Sequence, residues 1–334
     1  MVENLGELLG ASAKENKAKG ETQGLEAGTI STYFVFGNYR LRVRVTRVLM
    51  ESQTIGTAFI LGHPDNGKLG TSTLGEGTLG SFTQIELLNI IQTMPDTAVI
   101  ELSKWLAGES ATNPDNFAAG TNSTAFAQSD TTLGTETDRT TVDTFTLSTD
   151  KKATFVTEIK STDTGFHSSA IREIGLFNDA SAGEMFARII IASLTMDNTK
   201  NYRFTIDLEL FDITTGNALF TTAGLNEIRD WLGNASATAP THMAWGTGTT
   251  TPVVGDTTLE GEQERNSIDD TNRLNNLISF KSILTSSEAN GQSITKSGLF
   301  NAASTGTLFC ETKFGAISKT SLFQINEEDR MRVI

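Results

Sequence analysis

Residues 99–106 read VIELSKWL, and residues 225–232 read LNEIRDWL. In both stretches the apolar residues recur three and four positions apart, which predicts a short amphipathic helix. Gly108 and Gly233 follow at positions where helices commonly end, and Thr222 is the expected N-cap of the second helix. The sequence therefore predicts two equivalent helices that both end in Trp-Leu.

The two predicted helices begin two copies of one longer sequence unit. The later matches, in chain order, pair Asp130-Thr131-Thr132-Leu133 with Asp256-Thr257-Thr258-Leu259, Glu136 with Glu262, Arg139 with Arg265, and Gly175-Leu176-Phe177-Asn178 with Gly298-Leu299-Phe300-Asn301. Matches that keep one order over this length indicate an internal duplication. We predict that residues 93–213 form copy one and residues 219–334 form copy two.

The rest of each copy consists of short segments typical of β-strands. Tyr202–Leu210 alternates apolar and polar side chains, which is the pattern of a half-buried strand. Ala153–Ile159 and Asn276–Leu284 are predicted strands at equivalent places in the two copies. Short strands with turns at this spacing are typical of a sandwich or small barrel. The predicted fold is mainly β, with two tandem β-sandwich-like domains that each carry a short N-terminal helix.

The segment before the two copies divides into two predicted parts. Residues 1–30 are expected to be a flexible or partner-ordered arm, and residues 31–92 an N-terminal β region with a Gly-rich loop. Residues 38–43, NYRLRV, are similar to the strand that closes each copy. Three explanations remain open: the remnant of a third copy, a strand that completes a neighbouring subunit, or a likeness of composition alone.

One basic stripe stands out in an acidic chain. The chain has 26 Lys and Arg against 40 Asp and Glu, a net charge of −14, yet Arg40, Arg42, Arg44 and Arg47 lie along one predicted strand. The stripe is interpreted either as a solvated strand face or as an assembly surface that meets an acidic partner, such as another copy of this protein. The acidic balance argues against nucleic acid as the main partner.

The sequence offers no catalytic pattern, and we predict that the protein is not an enzyme and binds no cofactor or metal. Cys310 is the single cysteine, which excludes an internal disulfide framework and a multi-cysteine metal site. Asp65-Asn66 and Asp269-Asp270-Thr271-Asn272 carry oxygens that suit Ca²⁺, but neither fits the calcium loop of 12 residues. No phosphate-binding glycine motif is present.

The N-terminus does not resemble a signal peptide. It lacks a basic start, and Gly6, Glu7 and Gly10 interrupt its short apolar part. No segment approaches the ~20 apolar residues that a membrane-spanning helix needs. We expect synthesis in the cytoplasm and no insertion into a membrane.

Several residues recur in both copies and are predicted to be structural. Glu136 and Arg139 lie three positions apart, as do Glu262 and Arg265, and the pattern fits a repeated ion pair better than a ligand clamp. The predicted structural anchors of the repeat are Trp105, Trp231, Arg139, Arg265, Phe177 and Phe300.

The repeated module resembles virion proteins of tailed phages and tailed archaeal viruses, in particular tail-fibre, collar and other virion-surface domains. The motifs that carry the resemblance are Trp231-Leu232, Gly246-Thr247-Gly248-Thr249-Thr250-Thr251-Pro252, Gly255-Asp256-Thr257-Thr258-Leu259, Glu262, Arg265, Gly298-Leu299-Phe300-Asn301 and Gly306-Thr307-Leu308-Phe309. Copy one keeps the frame, but it has Gly120-Thr121-Asn122-Ser123-Thr124 in place of the Gly-Thr-Gly run.

The resemblance implies a non-enzymatic virion structural protein. It would assemble as a symmetric homo-oligomer, with other virion proteins, in a tail, baseplate, fibre or capsid-surface appendage. The alternative is a module on the virion surface that binds a host-cell receptor or a carbohydrate through the loop around Trp245 and the Gly-Thr run.

Overall fold

The computed structural model describes residues 28–36, 38–48, 83–147, 151–210, 214–215 and 218–333. For the strands before Met94 and for residues 214–215, only the backbone pairing is described. Most of the predicted arm, the Gly-rich loop and the Asp65-Asn66 pair lie outside the described residues. The prediction of a mainly β fold with two tandem sandwich-like domains is confirmed.

Copy one begins with helix α1 and continues with seven strands. The elements are α1 (Asp96–Leu106), β4 (Asn116–Gly120), β5 (Glu136–Thr141), β6 (Thr144–Leu147), β7 (Lys152–Ile159), the short helix α2 (Thr164–His167), β8 (Ile171–Phe177), β9 (Met185–Leu194) and β10 (Asn201–Leu210). One sheet has the order β5-β4-β8-β9, and the other contains β10-β7-β6.

Copy two has the same first helix and the same succession of seven strands, without a counterpart of α2 in residues 218–333. After two short strands, β11 (Thr214–Thr215) and β12 (Ala218–Phe220), come α3 (Thr222–Leu232), β13 (His242–Gly246), β14 (Glu262–Ser267), β15 (Asp270–Leu274), β16 (Leu277–Leu284), β17 (Ser293–Phe300), β18 (Leu308–Ser318) and β19 (Ile325–Val333). Its sheets contain β14-β13-β17-β18 and β19-β16-β15, which repeats the order in copy one. The sequence duplication is therefore also a duplication of strand topology.

Three further strands extend the sheets that contain the closing strands of the two copies. β1 (Gly28–Phe36) pairs in parallel with β19, while β2 (Asn38–Val48) pairs antiparallel with β10 on one side and with β3 (Thr83–Thr93) on the other. Only residue 37 separates β1 from β2. Because β1 begins at Gly28, the end of the predicted arm belongs to a strand. The 38–43 segment therefore lies beside a closing strand within its own chain.

The two helices form where the sequence predicts them, with one correction at an end. The N-cap of α3 is Thr221 and not Thr222, because the Thr221 hydroxyl oxygen accepts a hydrogen bond of 2.9 Å from the Gly224 backbone N–H. Gly233 is the C-cap of α3, as expected, and Gly108 follows α1 with a φ of +73°.

Each copy has a β-bulge at an equivalent glycine. The register shifts between Ala119 and Gly120 in copy one, and between Trp245 and Gly246 in copy two. A Cβ atom at Gly120 would collide with the Thr135 carbonyl oxygen, and one at Gly246 would lie 2.6 Å from the Glu260 carbonyl oxygen. The close approach of the backbone explains why both copies have glycine here.

Candidate functional site

The two copies meet through their helices. The rings of Trp105 on α1 and Trp231 on α3 stack, with their centroids 5.5 Å apart and their planes inclined by 17°. Trp105 also packs against Phe309 of copy two at 6.4 Å, and Trp231 packs against Phe186 of copy one at 6.0 Å. Phe186 and Phe309 are equivalent in the repeat, so the contact has approximate twofold symmetry.

The helices reach across to the opposite copy. α1 contacts β16 and β19 of copy two, and α3 contacts β7 of copy one. Both tryptophans belong to one apolar cluster that contains buried residues from the two copies. At the edge of this interface, the Arg273 guanidinium binds both oxygens of Glu109 at 2.9 and 2.8 Å, which lowers the pKa of that carboxyl. The two copies are thus packed as one unit.

The predicted anchors Arg139 and Phe177 come together in copy one. The Arg139 guanidinium binds both oxygens of Glu136, at 2.9 and 2.7 Å, and donates a third hydrogen bond of 2.9 Å to the Asp179 carbonyl oxygen. Its central carbon lies 3.6 Å from the centre of the Phe177 ring. The arginine therefore ties the start of β5 to the end of β8 through hydrogen bonds and a cation–π contact.

Copy two repeats this arrangement atom by atom. Arg265 binds Glu262 at 2.8 and 2.7 Å, donates a hydrogen bond of 3.0 Å to the Ala302 carbonyl oxygen, and lies 3.5 Å above the Phe300 ring. In both arginines, Nε and the two terminal nitrogens are engaged within the chain. We call each of these arginines, together with its glutamate and phenylalanine, the brace of its copy, because it holds neighbouring parts of the fold together.

A shallow depression of about 340 Å³ lies beside the brace of copy one and is wide open to solvent. Its lining residues are Glu136, Thr137, Asp138, Arg139, Ala180 and Ser181. Since Glu136 and Arg139 bind each other, the depression presents groups that are already satisfied within the fold.

A buried ion pair lies between the β8 and β9 strands of copy one. Arg188 Nε donates a hydrogen bond of 2.8 Å to Glu173, and another of its nitrogens binds Asp130 at 2.6 Å. Both Glu173 and Arg188 are at most 3% exposed. The Glu173 carboxylate also accepts hydrogen bonds from the backbone N–H groups of Asn122, Gly134 and Thr135.

Copy two has the basic and the acidic residue at these two positions in the reverse order. Lys296 on β17 is equivalent to Glu173, because each pairs with the bulge glycine, Gly246 or Gly120. Glu311 on β18 is equivalent to Arg188, and Lys296 Nζ lies 3.6 Å from it. This exchange was not predicted from the sequence, although aligning the two copies strand by strand reveals it.

Glu311 is fully buried, and its burial raises its pKa to about 8. The neighbouring Asp256 carboxyl raises the pKa further, whereas the Lys296 ammonium opposes the rise. The pKa of Asp256 is lowered by its interaction with Glu311. We infer that the shared proton resides on Glu311 and the negative charge on Asp256.

Two further acids occupy the core of copy two. Glu327 and Asp329 on β19 are at most 2% exposed, where β10 of copy one has Phe204 and Ile206. The Glu327 carboxyl accepts hydrogen bonds from the Trp245 indole N–H and from the Ser297 hydroxyl. Burial raises the pKa of Glu327 well above the usual range of a glutamate.

Two groups that were considered as surface sites lie in strands of copy two. Trp245 is fully buried on β13, so its ring is not available to stack against a sugar. Asp270, Thr271 and Asn272 lie in strand β15, paired with β16, and do not form a calcium-binding loop. Among the described residues, no group of three metal-ligating side chains converges.

The four arginines of the basic stripe lie on β2, inside a sheet. In the register with β10, Arg40 is opposite Glu209 and Arg42 is opposite Asp207. Only the backbone positions of Arg40, Arg42, Arg44 and Arg47 are described, so their assembly role stays a prediction.

Cys310 is buried on β18, and burial raises its thiol pKa well above the usual value. A thiol in this state is a poor nucleophile, because the thiolate is the reactive form. Cys310 therefore packs as a small apolar residue.

Within the described part of the chain, no helix is both long and apolar enough to cross a membrane. No protein-family model matches the sequence, and neither the comparison with curated proteins nor that with solved structures finds a match.

Proposed function

We propose that this chain is a non-enzymatic structural protein of a tailed-virus particle, where it assembles as a symmetric oligomer. One observation carries the assembly role: a single N-terminal segment extends a sheet in each of the two copies. The proposal that the chain assembles with other virion proteins rests on the resemblance of the repeated module to virion proteins of tailed viruses.

The N-terminal strands are additions to sandwiches that already share a strand plan. The strands of copy one, β4–β10, correspond in order to those of copy two, β13–β19. The strands β1 and β2 are not part of this duplicated set. A strand that adds to a sheet edge is held mainly by backbone hydrogen bonds. Such a strand fits the same edge of a neighbouring subunit equally well, which makes strand exchange a route to assembly.

The charged groups in each copy favour a structural role. Arg139 and Arg265 brace equivalent corners, and the buried pairs Glu173–Arg188 and Lys296–Glu311 connect neighbouring strands. These contacts recur at equivalent places, as architecture requires, and a single active site has no need of such repetition.

The mass of the protein in solution tests the proposal. We would compare the full chain with two deletions, one of residues 1–27, which leaves β1 intact, and one of residues 1–36, which removes it. Light scattering should give one defined oligomer for the full chain and for the shorter deletion, and a smaller species for the longer deletion. A full chain that stays monomeric at every concentration would refute the assembly role.

A further inference from the structure

The two copies contain equivalent hairpins that could pair with the wrong partner. In copy one, β8 pairs with β9, so that Leu176 lies opposite Ala187. In copy two, β17 pairs with β18, so that Leu299 lies opposite Cys310. Both hairpins contain the sequence Gly-Leu-Phe-Asn at the same place. Tandem domains with such similar strands are prone to exchange them during folding.

The order of the buried acidic and basic residues distinguishes the two hairpins. Copy one has an acid on the first strand and a base on the second, Glu173 and Arg188. Copy two has a base on the first strand and an acid on the second, Lys296 and Glu311. All four side chains are at most 3% exposed. The loop acids Asp130 and Asp256 are the same in both copies, so they do not distinguish one hairpin from the other.

We propose that this reversed order of acidic and basic residues directs each strand to its partner in the same copy and excludes exchange between copies. If β17 paired with β9, Lys296 would lie beside Arg188, and two cations would be buried together. If β8 paired with β18, Glu173 would lie beside the protonated Glu311 and would lose the Arg188 guanidinium that binds it in copy one. Two cations in contact inside a protein interface cost several kcal/mol, and an arginine cannot escape this cost by losing its proton. A buried carboxylate that has lost its cation is also strongly unfavourable.

The reversed order of acidic and basic residues opposes wrong strand pairing both within one chain and between chains. Within a chain it separates copy one from copy two, and between chains it blocks the same wrong pairing at high protein concentration. The inference does not depend on the virion role, because it concerns the pairing of strands in this fold.

A disulfide reports the exchanged pairing directly. In the native register Leu176 opposes Ala187, but if β8 paired with β18 it would oppose Cys310. A chain with Leu176→Cys therefore forms a disulfide between positions 176 and 310 only when these strands have paired wrongly. The disulfide is measured by mass spectrometry after refolding from denaturant under oxidising conditions.

The decisive variant gives both copies the same polarity, which here means the same order of acidic and basic residues on the two strands of the hairpin. With Lys296→Glu and Glu311→Arg, copy two keeps a complementary pair of its own, but both exchanged pairings also become complementary. In the Leu176→Cys background, we expect the 176–310 disulfide to increase about tenfold over the unchanged polarity, which corresponds to ~1.4 kcal/mol of lost discrimination.

A neutral variant controls for loss of stability. Lys296→Met with Glu311→Leu removes the pair from copy two, but in the exchanged pairings Glu173 and Arg188 would be buried without a partner. This variant should leave the disulfide at its background amount. The proposal is overturned if the polarity-matched variant shows no increase, or if the neutral variant shows the same increase.

Discussion

The indole rings of Trp105 and Trp231 stack at the contact between the two copies, with their centroids 5.5 Å apart. Each ring also packs against a phenylalanine of the opposite copy. The duplicated helices, which look like separate features in the sequence, thus form one interface that joins the copies.

We predict that the two tryptophans are energetically coupled. Replacing either with alanine removes a nearly buried aromatic side chain and should lower the free energy of unfolding by roughly 3–5 kcal/mol. The double variant should lose less than the sum of the two single losses, by about 0.5–1.5 kcal/mol, because the stacking contact is lost only once. Denaturant unfolding of the four proteins measures this coupling, and additive losses would show that the rings do not stabilise each other.

A second prediction concerns the bulge glycine of copy two. Gly246→Ala should lower the free energy of unfolding by about 1–3 kcal/mol, because the new Cβ would press against the Glu260 carbonyl oxygen. Gly255→Ala is the matched control, since nothing lies within 4 Å of a Cβ at that position. Thermal unfolding of both variants checks the difference, and equal effects would contradict the bulge geometry.

A third prediction concerns the dependence of stability on pH. The pKa of Glu311 is about 8 in the folded chain, above its usual value of 4.5, so the unfolded chain loses this proton first as the pH rises. The contribution of the Glu311 carboxyl to the free energy of unfolding should be full below pH 4.5. It should be lost progressively between pH 4.5 and about 8. The slope is at most about 1.4 kcal/mol per pH unit.

Glu311→Gln keeps the shape of the neutral side chain and should flatten this slope. Glu184→Gln removes an equal charge from an exposed position and should keep the slope of the parent protein. Denaturant midpoints measured at pH 5 and pH 8 give the comparison. The same slope in the Glu311→Gln variant and in its parent would show that Glu311 does not hold the proton.

The features that depend on local pattern could be predicted from the sequence. Helices α1 and α3 follow from their apolar spacing, and β10 follows from its alternation. The polar strands β5, β14 and β15 were missed or recognised only in part, because they lie at sheet edges, where few of their side chains are buried. An exposed edge strand leaves little hydrophobic pattern in a sequence.

The contacts between distant parts of the chain could not be predicted. Trp245 looked like an exposed aromatic residue in a glycine-rich setting, yet its indole N–H binds Glu327, which is 82 positions away. Glu327 itself gave no sign that it was buried, since buried acids are rare and depend on their partners. Only the packing of the sheet that contains β13 and β17 against the sheet that contains β19 brings these groups together.

One cross-linking measurement tests the assembly role most directly. Thr46 on β2 and Arg203 on β10 lie opposite each other in the antiparallel pair. In a Cys310→Ala background, one chain would carry Thr46→Cys and a second, coexpressed chain would carry Arg203→Cys. If N-terminal strands add to neighbouring subunits, oxidation should yield a covalent dimer of the two chains. The strand-exchange account is contradicted if the mixed chains stay uncoupled while a single chain with both substitutions closes its own disulfide.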